Sequence, residues 1–257
     1  MKAVILAGGF GTRLSEESHL RPKPMIEIGE MPILWHVMKY YSYYGINDFV
    51  VCCGYKAHII KEFFADYYLH RSDVTFDFSN GGAVQTHSNV SEPWRVTVID
   101  TGLNTMTGGR IKRIWEFVQN ERFLMTYGDG VSDIDLKKLI ETHDNSGKTV
   151  TLTAVQPVGR FGLLEIDDSM TVTGFKEKAP EEGAWINAGF MVMEPDVFEY
   201  IDGDGTILEV DSLVRLSRDG KLGAYRHYGF WACMDTQRDK MRLNKAWESG
   251  NAKWKLW

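Results

Sequence analysis

The sequence predicts an α/β fold, with a mostly parallel central sheet flanked by helices and a small antiparallel patch in its C-terminal half. The first observation behind this is an apolar run at residues 3–7, typical of a strand buried on both faces, which glycines follow directly. The second is the alternation of such strands with helical segments, an order that builds parallel sheets through right-handed crossovers. The third is a change to short strands and tight turns beyond residue 155.

The spacing of apolar residues sets the predicted order of elements. Pro32 begins a helix that ends at Gly45, since proline favours the first helical turn and glycine follows helix ends. The predicted strands cover 3–7, 48–53, 74–78, 95–99, 123–127, 149–155, 163–166, 172–176, 186–193, 223–228 and 231–235, and the predicted helices cover 32–41, 58–68, 109–118, 135–143, 195–201, 208–218 and 236–249. The polar stretch Ser79–Glu92 is predicted to be a long excursion, and such loops often carry function or an interface. Because no linker or repeat interrupts this order, we expect one domain spanning residues 1–257.

The composition is that of a globular protein with a sizeable core. Of 257 residues, 44% are hydrophobic and 25% are charged, and the formal net charge is −6. This charge argues against a nucleic-acid surface, although a few local cations can still hold a phosphate. No apolar run approaches the roughly 20 residues of a membrane span, and the N-terminus lacks a signal-peptide pattern. The three cysteines, including the adjacent Cys52 and Cys53, form neither a disulfide framework nor a zinc pattern. We therefore expect a reduced, cytoplasmic protein with no nucleic-acid or membrane partner.

The stretch from Leu6 to Pro24 is the leading candidate for a binding site. It contains Gly8-Gly9-Phe10-Gly11-Thr12-Arg13, and Arg21-Pro22-Lys23-Pro24 follows. Glycines at the carboxyl end of a buried strand let the backbone approach a ligand, and N–H groups there suit a polyphosphate. The alternative is an ordinary strand-to-helix turn, from which a glycine triplet alone would not be distinguished. Two cations and two prolines at fixed offsets favour phosphate binding.

Two aspartates at strand ends are the candidate metal ligands. Asp129 lies between Gly128 and Gly130, and Asp235 follows the apolar residues 230–234. Ligands collect outside the carboxyl ends of parallel strands, and Mg²⁺ prefers a few carboxylates with phosphate oxygens and water. Each aspartate has an ordinary alternative, a turn aspartate for Asp129 and a helix N-cap for Asp235. Beside a polyphosphate loop, the two together favour shared Mg²⁺ coordination.

Other polar groups are weaker candidates. Glu177 and Lys178 could meet sugar hydroxyls and a second phosphate, although such a pair is usually solvated surface. Asn187 is polar inside an apolar strand and needs a partner, for which a backbone group serves as well as a ligand. The segment 101–109, which contains Asn104, is either a flexible connector or one side of a pocket that recognises a nucleobase. The seven histidines show no paired metal spacing, so none is assigned to catalysis.

Together these stretches resemble the sugar-nucleotide pyrophosphorylases, a family of nucleotidylyltransferases. The shared motifs, which follow the family's order along nearly the whole chain, are Leu6–Arg13, Pro22–Pro24, Gly128-Asp129, Phe161-Gly162, Glu177-Lys178, Asn187–Gly189 and Met234–Thr236. Most of the family has a proline and a threonine after Gly-Thr-Arg, where this chain has Ser15–Arg21. That departure, with segments 24–29, 105–112 and 227–231, resembles the cytidylyltransferase branch. The resemblance implies a Rossmann-like fold of the nucleotide-diphospho-sugar transferase type, with CTP and glucose 1-phosphate as substrates.

The resemblance also implies roles for individual residues. The nucleotide-binding residues would be Leu6, Ala7, Gly8, Gly9, Phe10, Gly11, Thr12, Arg13, Lys23, Asn104, Gly109 and Gly128, with Asn104 and Gly109 at the spacing where relatives contact the base. The sugar-phosphate-binding residues would be Gly162, Glu177, Lys178 and Asn187. Arg13, Lys23 and Asp129 would be catalytic, and Asp129 and Asp235 would hold the Mg²⁺ cofactor. Residues 1–130 would form mainly the nucleotide-binding part of the domain, and 131–257 mainly the sugar-phosphate part and the C-terminal helix.

The implied reaction is an in-line attack of a glucose 1-phosphate oxygen on the α-phosphorus of CTP, which gives CDP-glucose and releases pyrophosphate. Mg²⁺, Arg13 and Lys23 would stabilise the negative charge of the transition state. The second pKa of a phosphate monoester is about 6, so the nucleophile is already ionised at neutral pH and needs no general base. The product would supply deoxysugars of cell-surface polysaccharide such as O-antigen.

Two other functions and one structural question stay open from the sequence. A glycosyltransferase of the same fold would need a metal-binding Asp-x-Asp, a pattern that Asp133-Ile134-Asp135 matches, although Asp135 more simply caps the next helix. A non-catalytic nucleotide-binding regulator would not need both metal acids together with a sugar-phosphate pocket. The Ser79–Glu92 stretch and the aromatic tail Trp247–Trp257 are either interface elements or packed surface. Because exposed tryptophans would favour self-association, we expect a homo-oligomer.

Overall fold

The computed structural model describes residues 1–11, 14–118, 121–156, 163–166, 172–176 and 185–257. Within these ranges the strands are β1 (Lys2–Ala7), β2 (Glu27–Ile28), β3 (Met31–Pro32), β4 (Asp48–Cys53), β5 (Ser72–Asp77), β6 (Ala83–Asn89), β7 (Arg95–Asp100), β8 (Phe123–Tyr127), β9 (Gly130–Ser132), β10 (Val150–Val155), β11 (Leu163–Ile166), β12 (Val172–Lys176), β13 (Ile186–Met193), β14 (Leu222–His227) and β15 (Trp231–Cys233). The α-helices are α1 (Ser15–Ser18), α2 (Ile33–Tyr43), α3 (Ala57–His70), α4 (Thr107–Lys112), α5 (Trp115–Val118), α6 (Leu136–Ser146), α7 (Leu213–Arg218) and α8 (Gln237–Glu248). Short 3₁₀ turns lie at Lys23–Met25, Phe78–Asn80 and Pro195–Tyr200, and a π-helical turn at Leu208–Ser212 leads into α7.

Seven strands form the central sheet in the order β14-β10-β13-β8-β1-β4-β7. Strand β1 is parallel to β8 and β4, β4 is parallel to β7, and β10 is parallel to β14. Strand β13 runs antiparallel to both of its neighbours, and β11 pairs antiparallel with β12 beside the main sheet. The predicted fold class is therefore confirmed: a mostly parallel sheet with antiparallel additions in the C-terminal half.

Side chains of β1 alternate between two cores on opposite faces of the sheet. Ala3, Ile5 and Ala7 belong to the core that contains residues of α2, α6 and α8, whereas Val4 and Leu6 belong to the core that contains residues of α4 and α7. Helices thus cover both faces, which explains why β1 is apolar at successive positions. The carboxyl ends of β1, β4, β7 and β8 share one edge of the sheet, where a ligand site is expected.

A short antiparallel ladder between β9 and β15 lies outside the main sheet. Its register pairs Gly130 with Cys233. Next to it, the backbone N–H of Met234 donates to the carbonyl oxygen of Asp129 at 2.9 Å. The chain before β9 and the chain after β15 therefore lie side by side, and this brings Asp129 close to Asp235.

The structure departs from the predicted elements in several places. The Ser79–Glu92 stretch was expected to be a loop, but half of it is β6, which pairs with β5 as an antiparallel hairpin. All of β6 is exposed, so no alternation of apolar residues marks it as a strand. The predicted helix at 109–118 consists of two short helices, α4 and α5, and the predicted helix at 195–201 is a 3₁₀ turn.

The C-terminal tryptophans pack against α2. Trp254 is fully buried, and Trp247 and Trp257 are partly buried against the same core. Their rings lie 4.6, 6.2 and 6.3 Å from the ring of His36, for Trp247, Trp254 and Trp257 respectively. The tail was expected to be either an interface element or packed surface. These three rings pack within the chain.

Two hydrogen bonds fix the protonation state of His36. Its Nε2–H donates to the carbonyl oxygen of Ile28 at 2.9 Å, and its Nδ1 accepts from the indole N–H of Trp254 at 3.4 Å. A proton on Nδ1 would face an N–H donor in a site that excludes water. Burial accordingly lowers the pKa of His36 to about 4.

Two expectations from composition can be compared with the structure. Cys52 and Cys53 are free and buried in β4, as expected for small core residues. Within the described ranges, no helix combines the length and the apolar character that crossing a membrane would require.

The first prediction concerns the pH dependence of stability. Between pH 6.5 and 4 the unfolded chain protonates His36 while the folded chain does not, so stability falls as pH falls through this window. Between pH 7 and 5 this residue should lower the free energy of unfolding by about 2 kcal/mol. Urea unfolding at both pH values should show that the free energy of unfolding falls less between pH 7 and pH 5 for His36→Gln than for wild type. An NMR titration midpoint near 6.5 for His36 in the folded protein would contradict this.

Candidate active site

A cavity of about 520 Å³ lies at the carboxyl ends of β1 and β8. Small-molecule sites typically enclose about 300–1,000 Å³, so this cavity has a volume suited to a ligand of the size of a nucleotide. Three stretches of chain line it: Leu6–Gly11 with Lys23 and Pro24, Leu103–Thr107 with Arg110, and Tyr127–Asp129. The predicted site residues among them are Leu6, Ala7, Gly8, Gly9, Phe10, Gly11, Lys23, Asn104, Gly128 and Asp129.

The glycines after β1 let the backbone follow a path that side chains would block. Gly11 has a φ of +66°, and a Cβ there would lie 3.2 Å from the Cβ of Lys23. Gly9 faces open space, since no atom lies within 4 Å of where its Cβ would be. The ring of Phe10 packs on Tyr55, with centroids 5.5 Å apart. The loop therefore presents backbone to the cavity.

Lys23 connects the two candidate metal ligands. Its Nζ donates to Oδ2 of Asp129 and to Oδ1 of Asp235, each at 2.5 Å, so these two oxygens are at most about 5 Å apart. Burial lowers the pKa of Lys23, but the charge of Asp129 and the hydrogen bonds to both carboxylates more than offset this and raise the pKa above its ordinary value. The ammonium group is therefore protonated at neutral pH and stabilises two carboxylates that would otherwise repel each other.

The donor set of Asp129 and Asp235 fits Mg²⁺. This ion takes one or two carboxylates and completes its coordination with phosphate oxygens and water. Among the residues that the structure describes, no group of three or more His, Cys, Asp and Glu side chains could hold a metal.

Arg110 is a buried cation in this site that the sequence reasoning missed. Its guanidinium donates to the carbonyl oxygens of Gly8, Cys53 and Gly102 at 2.8–3.0 Å, and to Oγ1 of Thr101 at 2.8 Å. These acceptors lie at the ends of β1, β4 and β7, so one side chain joins three neighbouring strands. Its hydrogen bonds within the described chain go to carbonyl and hydroxyl oxygens, with no carboxylate partner. The cavity therefore has a positive charge that suits an anionic ligand.

A partial signal for Arg110 was present in the sequence. A Cβ at Gly8 or at Gly54 would clash with its guanidinium, so both glycines leave room for it. Glycines at the ends of two strands indicate a space that something must fill. Arg110 lies 102 positions after Gly8, and local patterns do not show which distant side chain enters the space.

Glu209 supports the opposite wall of the cavity. Its carboxylate accepts hydrogen bonds from the hydroxyl of Tyr127 and, at 2.7 Å, from Oγ1 of Thr107. Both donors line the cavity, whereas Glu209 lies behind them on the π-helical turn. This acid fixes two side chains of the wall, and no local pattern around Glu209 indicates that role.

Two predicted residues do not line the cavity themselves and have partners within the chain. Gly109 packs against the backbone of Asp204, where a Cβ would lie 2.5 Å from its carbonyl oxygen. Asn187 accepts the backbone N–H of Gly189 at 2.9 Å through its Oδ1, which is the backbone alternative considered for it. Their ligand contacts stay predictions. Of the other predicted residues, Thr12, Arg13, Gly162, Glu177 and Lys178 lie outside the described residues.

Both aspartates of the Asp-x-Asp pattern have structural roles. Oδ1 of Asp133 accepts the backbone N–H of Phe230 at 2.6 Å and is 2.9 Å from Nε2 of His227. Asp135 caps α6 by accepting the backbone N–H groups of Lys137 and Lys138. Neither aspartate lines the cavity. The geometry therefore gives no support to a glycosyltransferase metal site here.

Comparisons with known proteins show what this chain is similar to. The sequence model of the family described as "Nucleotidyl transferase" matches residues 2–215. The glucose-1-phosphate cytidylyltransferase of Salmonella typhi is 54% identical over 258 residues, which cover 100% of each chain. A probable glucose-1-phosphate cytidylyltransferase of Bacillus subtilis is 45% identical over 258 residues, again 100% of each chain. The solved structure of HddC from Yersinia pseudotuberculosis has a TM-score of 0.69 and 25% identity, over 96% of this chain and 99% of that chain.

The second prediction concerns Arg110. Replacing it with methionine leaves carbonyl oxygens of three strand ends without their donor, and we expect a loss of about 2–4 kcal/mol in the free energy of unfolding. Urea unfolding followed by circular dichroism would measure it. Arg113→Met is the matched control, since Arg113 follows α4 and pairs with Asp204 on the surface. Equal unfolding midpoints for the two variants would contradict the role assigned to Arg110.

Proposed function

This chain belongs to the nucleotidyl transferase family, and from that premise we propose that it makes CDP-glucose and pyrophosphate from CTP and glucose 1-phosphate. One observation carries the proposal of nucleotidyl transfer: Lys23, just after the glycine loop, meets both Asp129 and Asp235 at the wall of the cavity. The choice of CTP and glucose 1-phosphate rests on the relatives from Salmonella typhi and Bacillus subtilis. HddC, which is similar in fold, has been solved in complex with GMP-PN.

In this proposal the glycine loop holds the triphosphate of the nucleotide. Backbone N–H groups of Gly8 to Gly11 would contact phosphate oxygens, and Lys23 would exchange carboxylate partners for a phosphate oxygen. Arg13 is proposed to contact the departing pyrophosphate. Asp129 and Asp235 would hold Mg²⁺, which when bound withdraws electron density from phosphate oxygens and neutralises their charge. Arg110 adds positive charge beneath the loop.

The nucleophile needs no activation by the protein. A sugar 1-phosphate is largely a dianion at neutral pH because its second pKa is about 6. Among the described residues that line the cavity there is no histidine and no cysteine. The protein's task is then to bring two anions together and to stabilise charge at the transition state, for which fixed cations are suited.

The sugar-phosphate half of the site is proposed for Gly162, Glu177, Lys178 and Asn187. We propose that residues 1–130 form mainly the nucleotide-binding part, which the lining of the described cavity by residues between 6 and 129 supports, and that residues 131–257 form mainly the sugar-phosphate part and the C-terminal helix. We also propose that the enzyme works in the cytoplasm and that CDP-glucose feeds the deoxysugars of cell-surface polysaccharide such as O-antigen.

The test of the function is pyrophosphate release, measured with Mg²⁺ for each nucleoside triphosphate combined with several sugar 1-phosphates. CTP with glucose 1-phosphate should give the highest kcat/KM. A preference for UTP or dTTP would refute the choice of cytidylyl transfer and leave nucleotidyl transfer standing. Release with none of the combinations would refute the proposed function.

The third prediction is that Lys23→Ala and Asp129→Ala fold yet lose turnover. Removing one preorganised group that stabilises transition-state charge typically lowers kcat by about 100-fold or more. The kcat for pyrophosphate release and the melting temperature would be measured together, with the exposed Lys137→Ala as control. A variant at either position that melts at wild-type temperature and keeps wild-type kcat would refute its assignment to the site.

The fourth prediction follows from the hairpin of β5 and β6, through which we propose self-association. Phe76 and Phe78 are 52% and 85% exposed, and their rings stack at 6.4 Å. A two-stranded hairpin is marginal alone in water, and an exposed apolar patch marks an interface. Light scattering should give a multiple of the 29.3 kDa chain mass. The variant Phe76→Ser/Phe78→Ser should be smaller and still folded, while Met241→Ser, which alters an exposed side chain of α8, should not change the mass. A wild-type mass of one chain would contradict the proposal.

A further inference from the structure

Gly11 and Lys23 both line the cavity, and the described residues 14–21 lie between them in the chain. The two lining residues are packed against each other, because a Cβ on Gly11 would lie 3.2 Å from the Cβ of Lys23, and it would lie 3.5 Å from that of Ser18. Ser18 is itself buried. A displacement of residues 14–21, which we call the arch, would therefore shift the loop backbone and Lys23.

Lys56 holds the arch from the side of β4. Its Nζ donates to the carbonyl oxygen of His19 and, at 3.2 Å, to that of Leu20. The preceding residue, Tyr55, contacts the start of the loop, since its backbone N–H donates to the carbonyl oxygen of Gly8 at 3.2 Å. Two successive residues thus fasten both ends of the stretch from Gly8 to Leu20.

The backbone of Lys56 has a conformation that is unusual for a residue other than glycine. With φ of 49° and ψ of 41°, it is the one non-glycine residue of the described chain that has a positive φ. The left-handed region is unfavourable for a residue with a Cβ, and glycine or asparagine would largely avoid this cost. A lysine at this position is therefore explained by what its side chain does.

Lys240 holds the arch from the side of α8. Its Nζ forms an ion pair with Oε1 of Glu17, and both side chains are mostly buried. The same helix follows Asp235, whose carboxylate meets Lys23. Helix α8 thus fixes the arch and one candidate metal ligand together.

We infer that Lys56 and Lys240 are positioning residues for the nucleotide, which act by holding the arch so that Gly11 and Lys23 stay at the cavity wall. The inference rests on the proposed function. Neither lysine lines the cavity. A loosened arch must be ordered when the nucleotide binds, so the affinity for CTP falls while the chemistry of the bound complex changes little.

The fifth prediction distinguishes the effect of the Lys56 side chain, which holds the arch, from the effect of its left-handed backbone. Asparagine tolerates the left-handed region but is too short to reach the two carbonyl oxygens, whereas arginine keeps a donor at that distance. Lys56→Asn should raise the Kd and KM for CTP roughly tenfold, with kcat changed less than about threefold and the melting temperature kept. Lys56→Arg should stay near wild type, and Lys61→Asn, on the exposed side of α3, is the control. Calorimetry with CTP and Mg²⁺ and steady-state pyrophosphate release supply the measurements.

The Glu17–Lys240 ion pair gives a second, independent test of whether the arch positions the nucleotide. Glu17→Gln and Lys240→Gln should each raise the Kd for CTP, and the exchange Glu17→Lys/Lys240→Glu should restore it. Wild-type Kd and KM in both Lys56→Asn and Lys240→Gln would overturn the inference, as would a fall in kcat without a rise in KM. If Lys56→Asn does not fold, the Glu17–Lys240 arm decides the question. A wild-type protein that binds CTP but releases no pyrophosphate would refute the proposed function, and the calorimetry would still decide the inference.

Discussion

The structure of the site depends on one ammonium group between two carboxylates. The Nζ of Lys23 is 2.5 Å from an oxygen of Asp129 and 2.5 Å from an oxygen of Asp235, in a partly buried environment. Two carboxylates so close together repel each other, and burial alone would lower the pKa of Lys23. The ammonium group and the two carboxylates therefore stabilise one another. The loop after β1, the end of β8 and the start of α8 must therefore meet at one point.

At the same edge of the sheet, a second cation is held by hydrogen bonds to carbonyl and hydroxyl oxygens, without a direct hydrogen bond to a carboxylate of the described residues. Arg110 is surrounded by carbonyl oxygens of strand ends, and the glycines at 8 and 54 give its guanidinium the space. Carbonyl dipoles satisfy its N–H groups but leave its net charge in place. The cavity thus combines a lysine that is paired directly with two carboxylates and an arginine that is hydrogen-bonded to carbonyl and hydroxyl oxygens. An anionic ligand that brings its own metal ion suits this combination.

The parts of the fold that were predicted from the sequence are those that local patterns determine. Strands β1, β4 and β8 are apolar at successive positions because both faces of the sheet are covered, and that pattern is read within a few residues. Asp129 and Asp235 were found because strand ends are visible locally, although their approach depends on the β9–β15 ladder. Strand β6 was missed because its side chains are exposed. Arg110 and Glu209 were missed because each has a partner about a hundred positions away in the chain, Gly8 for Arg110 and Thr107 for Glu209.

Two contacts join residues that lie more than 200 positions apart in the chain. Lys23 meets Asp235 across 212 positions, and the indole of Trp254 reaches His36 across 218. During synthesis the earlier residues emerge first, so β1, its glycine loop and α2 lack these partners until residues 235–254 have been made. Before that point the growing chain can build most of the parallel sheet, yet it has only one of the two candidate metal ligands and lacks the tryptophans that pack on α2. One late stretch of the chain thus completes both the pair of candidate metal ligands and the hydrophobic core around α2.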